Sequence, residues 1–147
     1  MDKHDEVTDS PTGWVNKHIQ EYVATNGEQG HEWRGYPTLL LTTRGRKSGQ
    51  RRRTALIYGQ DGKNYILVAS QGGAPKHPQW YLNLSADPQV ELQVRAEKIK
   101  GRARTATPEE KPRLWKLMTG VYPPYESYQQ KTSREIPVVI VEPERQG

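Results

Sequence analysis

Cysteine and phenylalanine are both absent from the 147 residues. Without cysteine, disulfides, thiolate metal sites and cysteine nucleophiles are excluded. Without phenylalanine, the aromatic complement is eight tyrosines and four tryptophans, rings with a polar handle that suit the edge of a pocket better than a dry centre. The four histidines, His4, His18, His31 and His77, show no H-x-x-x-H pairing, so no metal centre is expected. No window holds eighteen apolar residues, the length a spanning helix needs. The opening MDKHDEVTDS is polar and acidic and lacks the apolar stretch of a secretory signal; the expectation is a cytoplasmic protein. Apolar residues are scarce too, at 33% against 27% charged. A chain of this length supports one domain with a thin core. That favours a small barrel with helices on its rim over a large layered α/β fold.

What the chain does have is concentrated positive charge. Residues 44–53, RGRKSGQRRR, carry six cations and no acid; removing them from the net charge of +5 leaves the rest of the chain at −1. Such local excess marks an anion site rather than a diffusely basic surface.

Ser10-Pro11-Thr12 reads as a helix start, and Trp14, Val15, His18, Ile19, Tyr22 and Val23 then form one stripe of an amphipathic helix that Asn26-Gly27 ends. The stripe fits packing on a barrel; peripheral contact with a membrane is the alternative, though the polar face is poor in cations. Strands are expected at 38–43, 54–58, 65–69, 90–94, 99–105 and 136–141, with a hairpin at Asp61-Gly62 and a tight connection at Ala96-Glu97. A glycine- and proline-rich loop, 71–78, opens a short helix bearing Trp80, Tyr81, Asn83 and Leu84. Thr107-Pro108-Glu109-Glu110 reads as a second helix start, and the segment VYPPYESYQQ precedes the last strand. About six mainly antiparallel strands and three or four helices without a βαβ repeat disfavour a Rossmann fold. Residues 1–10 are expected as a flexible tail and 11–147 as a single domain.

Three groups of residues carry chemistry. The basic segment contains glycines whose backbone N–H groups, with arginine side chains, grip phosphate or carboxylate; a charged, aggregation-resistant edge strand or a nucleic-acid surface would use similar residues. The Gly-Pro loop lets backbone approach a flat ring closely, with Trp80 as a stacking face. Tyr122, Tyr125 and Tyr128, spaced by three around Pro123-Pro124, could form a lid of hydroxyl donors or pack as ordinary surface tyrosines.

Taken together, LLLTTRGRKSGQRRRTALIY, YILVASQGGAPKHPQWYLNL and VYPPYESYQQ before IPVVIVEP resemble the deazaflavin-dependent nitroreductase and quinone reductase family of actinobacteria, over residues 10–143. The resemblance implies an α+β split β-barrel of the FMN-binding type. It also implies coenzyme F420, an 8-hydroxy-5-deazaflavin with a phosphate and an oligoglutamate tail, and hydride transfer to a menaquinone-like quinone or a nitroaromatic acceptor. By the same resemblance Arg46, Lys47 and Ser48 hold the phosphate, with Arg52 and Arg53 nearer the acidic tail. Ala69, Ser70, Gln71, Gly72, Gly73, Ala74 and Lys76 line the deazaflavin, and Trp80 and Asn83 close its pocket. Ser70, Tyr122, Tyr125 and Tyr128 face the substrate as the catalytic group. Gln71 and the run Arg51-Arg52-Arg53 depart from the family's usual pattern. An FMN-dependent enzyme of the same fold, or a cofactor-binding protein without turnover, are the alternatives; so many cations exceed what a single phosphate needs.

Overall fold

The computed structural model describes residues 7–9 and 13–144; the expected helix start at Ser10–Thr12 lies outside them. Among these residues nine strands form one sheet: β1 (Val7–Asp9), β2 (Glu32–Trp33), β3 (Tyr36–Arg44), β4 (Arg51–Ile57), β5 (Gly59–Asp61), β6 (Asn64–Val68), β7 (Gln89–Val94), β8 (Glu97–Thr105) and β9 (Val138–Pro143). Four helices accompany them: α1 (Gly13–Ala24), α2 (Gln79–Ala86), α3 (Lys111–Val121) and α4 (Pro124–Lys131). The strand order is β1-β4-β3-β7-β8-β9-β6-β5, with β2 paired to β3. All pairings are antiparallel except β1 with β4. Near one edge of this order lies β4 and at the opposite edge β5, yet only Tyr58 separates them in the chain. A sheet whose far edges are joined by one residue must roll up, and the result is a split barrel.

Side-chain alternation explains how a chain poor in apolar residues fills this shape. Leu39, Leu41, Tyr65, Leu67, Val139 and Val141 point into the barrel. Their neighbours Ile66, Val68, Val138 and Ile140 point outward under Leu114 and Met118 of α3. Leu40 faces Val15, Ile19 and Tyr22 of α1. With both faces covered, β3, β6 and β9 read as continuous apolar runs rather than alternating ones. The α1 stripe is thus packed against the barrel, as the first of its two expected roles required, and Val23 is the one large apolar side chain exposed among the described residues.

The strands outnumber the expected six because β1, β2 and β5 span only two or three residues, too few to show a period of two. Val7–Asp9, within the segment expected as a tail, lies parallel to Arg51–Arg53. The triple arginine, left between the strands expected at 38–43 and 54–58, belongs to β4, paired with Thr42, Thr43 and Arg44. Both hairpin turns shift by one residue. The β5–β6 turn is Gly62-Lys63, with positive φ at Gly62, and the β7–β8 turn is Arg95-Ala96. At Thr107 the expected helix start forms a reciprocal cap: the Thr107 N–H donates to Glu110 Oε1 at 2.9 Å and the Glu110 N–H to Thr107 Oγ1 at 3.3 Å.

Tyr22 ties α1 to the barrel. Its buried hydroxyl accepts the Arg95 N–H at 2.7 Å and faces the carbonyls of Gln93 at 3.1 Å and Thr38 at 3.2 Å. Gly27, at φ +81°, ends the helix against the Arg95 backbone, where a Cβ would meet Arg95 Cα at 2.2 Å. Tyr22→Phe is expected to cost about 1–2 kcal/mol, since it strips the Arg95 N–H of its acceptor. Urea unfolding of the variant would test this, and an unchanged midpoint would refute it.

Candidate active site

Where the barrel splits, a cavity of about 950 Å³ opens between the β3–β4 turn, the loop after β6, α1, α2 and the α3–α4 corner. Its two ends differ in chemistry.

The cationic end is built on the turn between β3 and β4. The Gly45 N–H donates to the Gln50 carbonyl at 2.7 Å, the Gly49 N–H to Gly45 at 2.9 Å, and Ser48 Oγ accepts the Gln50 N–H at 3.1 Å. Asn83, buried on α2, braces the turn by accepting from the backbone and Nη1 of Arg46 at 3.2 and 2.8 Å; Arg46 Nη2 also donates to Gln79 Oε1 at 2.9 Å. Arg51 is paired with Glu91. Arg53 is paired with Asp9 at 2.6 Å, and Gln20 of α1 donates to the same carboxylate at 2.9 Å. Lys47 and Arg52 are exposed and line the cavity; neither has a carboxylate within 4 Å among the described residues. The free positive charge at this end is therefore smaller than six cations suggest, and sits on Arg46, Lys47 and Arg52.

The aromatic end gathers Tyr122, Tyr125 and Tyr128. Pro124 opens α4, which turns the chain sharply after α3 and brings all three phenols onto the cavity wall. The rings meet edge to face, Tyr122–Tyr125 at 4.9 Å and Tyr125–Tyr128 at 6.3 Å. The Tyr122 and Tyr128 hydroxyls are hydrogen-bonded at 3.1 Å. Trp33 and Tyr36 buttress Tyr122 at 6.3 and 4.8 Å. Burial, then the bond to Tyr128, pushes the Tyr122 phenol up to about 12; burial raises that of Tyr125 as well. Both are protonated hydroxyl donors throughout the neutral range. The Tyr125 hydroxyl has no hydrogen-bond partner among the described residues.

Between the two ends runs the loop after β6. Gln71, Gly72 and Gly73 all have positive φ (45°, 63° and 82°), a left-handed turn closed by Gly73 N–H to the Ser70 carbonyl at 2.9 Å and Ala74 N–H to Gln71 at 3.1 Å. Glycine tolerates this backbone, whereas Gln71 is strained in it. Ser70, Gln71, Gly72, Trp80 and Asn83 line the cavity; so do Arg46, Lys47, Ser48, Arg52 and Arg53. Four residues placed in the pocket by resemblance do not reach it. Ala69 is buried behind the wall. Gly73 packs against α4, where a Cβ would lie 2.8 Å from the Tyr128 carbonyl oxygen. Ala74 is turned toward Arg134, and Lys76 points to solvent.

Residues the sequence did not single out also contribute. Asp9, His18, Trp33 and the stretch Thr54–Ile57 join the lining. Arg134, in the connection from α4 to β9, holds the loop from behind. Its Nε donates to the Ala74 carbonyl at 2.8 Å, Nη2 to Ser70 at 2.7 Å, and Nη1 to Ala69 at 3.2 Å and to His77 Nδ1 at 3.0 Å. Nothing local to the sequence signals these contacts.

His77 is expected to make the stability of the fold pH-dependent. Burial, then the charge of Arg134, lowers its pKa below the usual 6.5, so the fold prefers the neutral ring. The contribution is intact above pH 6.5 and declines as pH falls from 6.5 toward the folded-state value, because the unfolded chain takes up the proton first. The melting temperature of the wild type is expected to fall more between pH 7.5 and 5 than that of His77→Gln; parallel profiles would refute the assignment.

A rolled antiparallel sheet with a cavity at its split, cationic at one end and phenolic at the other, defines a split-barrel protein of the cofactor-binding kind. Residues 14–143 match the family model for F420H(2)-dependent quinone reductases, and the chain belongs to that family of oxidoreductases, whose reductant is coenzyme F420 in its reduced form. It is 39% identical over 141 residues to the F420H(2)-dependent quinone reductase Rv1261c of Mycobacterium tuberculosis, covering 87% of this chain and 95% of that protein. Among solved structures, an F420-H2 dependent reductase shares 46% identity over 72% of this chain and 94% of its own, with a TM-score of 0.68. A domain-swapped dimer shares 42% identity over 90% of this chain and all of its own, with a TM-score of 0.71.

Among the described residues no helix is long and apolar enough to cross a membrane.

Proposed function

We propose that this protein reduces a menaquinone-like quinone at the phenolic end of the cavity, and nitroaromatic compounds as secondary acceptors, using F420 bound toward the cationic end. The observation that carries this is the continuity of one cavity between the open cations Arg46, Lys47 and Arg52 and a wall of tyrosine phenols. The residues fit the coenzyme. Cations beside glycine backbone suit a phosphate and carboxylates, and the left-handed Gln71–Gly73 turn suits close approach of a flat ring. In this reading Arg46, Lys47 and Ser48 take the phosphate, Arg52 takes the acidic tail, and Ser70, Gln71, Gly72 and Trp80 border the ring. Arg53, already satisfied by Asp9, serves the tail only if that pair opens.

When bound, reduced F420 supplies a hydride, chemistry that belongs to the cofactor and not to any side chain. The protein's own residues position the acceptor and handle charge and proton. Hydride arrival leaves negative charge on a quinone or nitro oxygen, and neutral donors fixed in advance around that oxygen stabilise it. The Tyr125 hydroxyl, carried on a buried ring that lines the cavity and without an internal partner, is the foremost donor. The Ser70 hydroxyl, also without a partner among the described residues, is the second. The Tyr122–Tyr128 pair can pass a proton inward as the oxygen is quenched.

The test is fluorescence titration with oxidised F420 and with FMN, followed by steady-state assay of F420H2 oxidation with a soluble menaquinone analogue. Selective F420 binding and quinone-dependent oxidation are expected. Preference for FMN, or binding without turnover, would overturn the reading in favour of a flavin enzyme or a carrier.

A further inference from the structure

Arg134 has a combination of contacts that its place outside the cavity lining does not explain. One guanidinium bonds three backbone carbonyls of a single loop, those of Ala69, Ser70 and Ala74. No carboxylate lies within 4 Å of it among the described residues. Its own backbone is latched to α4: Gln129 Nε2 donates to the Arg134 carbonyl at 2.8 Å, and Gln129 Oε1 accepts the Ile136 N–H at 2.9 Å. The same helix carries Tyr125 and Tyr128. Arg134 therefore connects the two walls of the cavity, the Ser70 loop and the tyrosine helix.

The peptide geometry adds a consequence. Among the described residues all the peptide bonds are trans, so each carbonyl points opposite to the N–H of the next residue. Drawing the carbonyls of Ala69 and Ser70 toward the guanidinium turns the N–H groups of Ser70 and Gln71 the other way. Both residues line the cavity, and neither N–H bonds within the described residues. A positive charge on the oxygen of a peptide unit also polarises it and strengthens its N–H as a donor.

We propose that Arg134 is a positioning residue: it orients and polarises the Ser70 and Gln71 N–H groups toward a ligand oxygen in the cavity and sets the spacing between that loop and the tyrosines. This rests on the function proposed above for the ligand's identity, but the loop's dependence on Arg134 does not. A lysine at this position keeps the charge and three donors but gathers them on one nitrogen, so it cannot reproduce the planar fork in which Nε, Nη1 and Nη2 each meet a different carbonyl.

The experiment compares Arg134→Ala and Arg134→Lys with wild type. It reads amide hydrogen exchange over residues 69–77 without coenzyme, F420 affinity by fluorescence, and kcat and KM separately, each with and without millimolar guanidinium or ammonium. Arg134→Ala is expected to speed loop exchange at least tenfold and to weaken F420 binding about tenfold, as loss of a set of charge-assisted bonds implies. Guanidinium should reverse both effects and ammonium neither. Arg134→Lys should fall between, and it serves if the alanine variant does not fold. Wild-type exchange and affinity in Arg134→Lys, or no guanidinium rescue of a folded alanine variant, would overturn the proposal. Failure of the wild type itself to bind F420 would instead overturn the functional reading, with the exchange data still deciding the role of Arg134.

Discussion

Replacing Tyr125 by phenylalanine is expected to lower kcat with a quinone acceptor by about 100- to 1000-fold, the effect of removing one preorganised donor from an oxyanion, while F420 affinity stays within about threefold. The ring is 5% exposed and packed between Tyr122 and Tyr128, so phenylalanine fills the same space and the fold loses no internal hydrogen bond. Tyr122→Phe and Tyr128→Phe should do less, because each leaves the other hydroxyl of that bonded pair in place. Since burial keeps the Tyr122 and Tyr125 phenols protonated far above neutrality, kcat should be flat from pH 6 to 9 as far as those two govern it. A kcat within threefold of wild type for Tyr125→Phe would remove this residue from the mechanism. A parallel rise in F420 Kd would place the ring at the cofactor rather than at the acceptor.

The double variant Lys47→Glu/Arg52→Glu is expected to raise the Kd for F420 about 100-fold at low ionic strength. At exposed sites a favourable contact with a charged ligand is worth roughly 0.7 kcal/mol, and reversal replaces two attractions with two repulsions, about 2.8 kcal/mol or two decades in all. Because Lys47 and Arg52 are exposed and hold no ion pair among the described residues, the melting temperature should not move. Wild-type affinity should weaken with added salt and that of the variant should not. Reversal at Arg53 is a poorer experiment, since it would set a second carboxylate against Asp9 and unseat β1 as well as change the cavity's charge. An unchanged Kd for the double variant, measured by fluorescence at low salt, would move the anionic part of the coenzyme away from this turn.

In the proposed reading these two expected effects divide the site between a charged end that holds and a phenolic end that reacts. The division depends on neutralisation the sequence hides. Six cations lie within ten residues, but Asp9 lies 44 residues from Arg53 and Glu91 lies 40 from Arg51, and the fold pairs them. A short ion-paired strand at the rim of the cavity leaves a smaller and more directed positive surface than the composition implies.

Local pattern alone determined much of this molecule. The buried strands β3, β6 and β9, the stripe of α1 and its stop at Gly27, the cap at Thr107 and the glycine loop are written in neighbouring residues. Steric and hydrophobic preferences act there over a few positions, and the residue types at the two ends of the cavity are local features too. Tertiary structure decided what depends on distant partners. It made strands of two- and three-residue segments whose own propensity is too weak, rolled the sheet through the single residue Tyr58, and drew Ala69, Gly73, Ala74 and Lys76 out of the lining. It also brought Arg134 to the carbonyl of Ser70 across 64 residues. Backbone carbonyls carry no sequence identity, so a contact made to them leaves no motif, and only the closed barrel reveals which ones an arginine can reach.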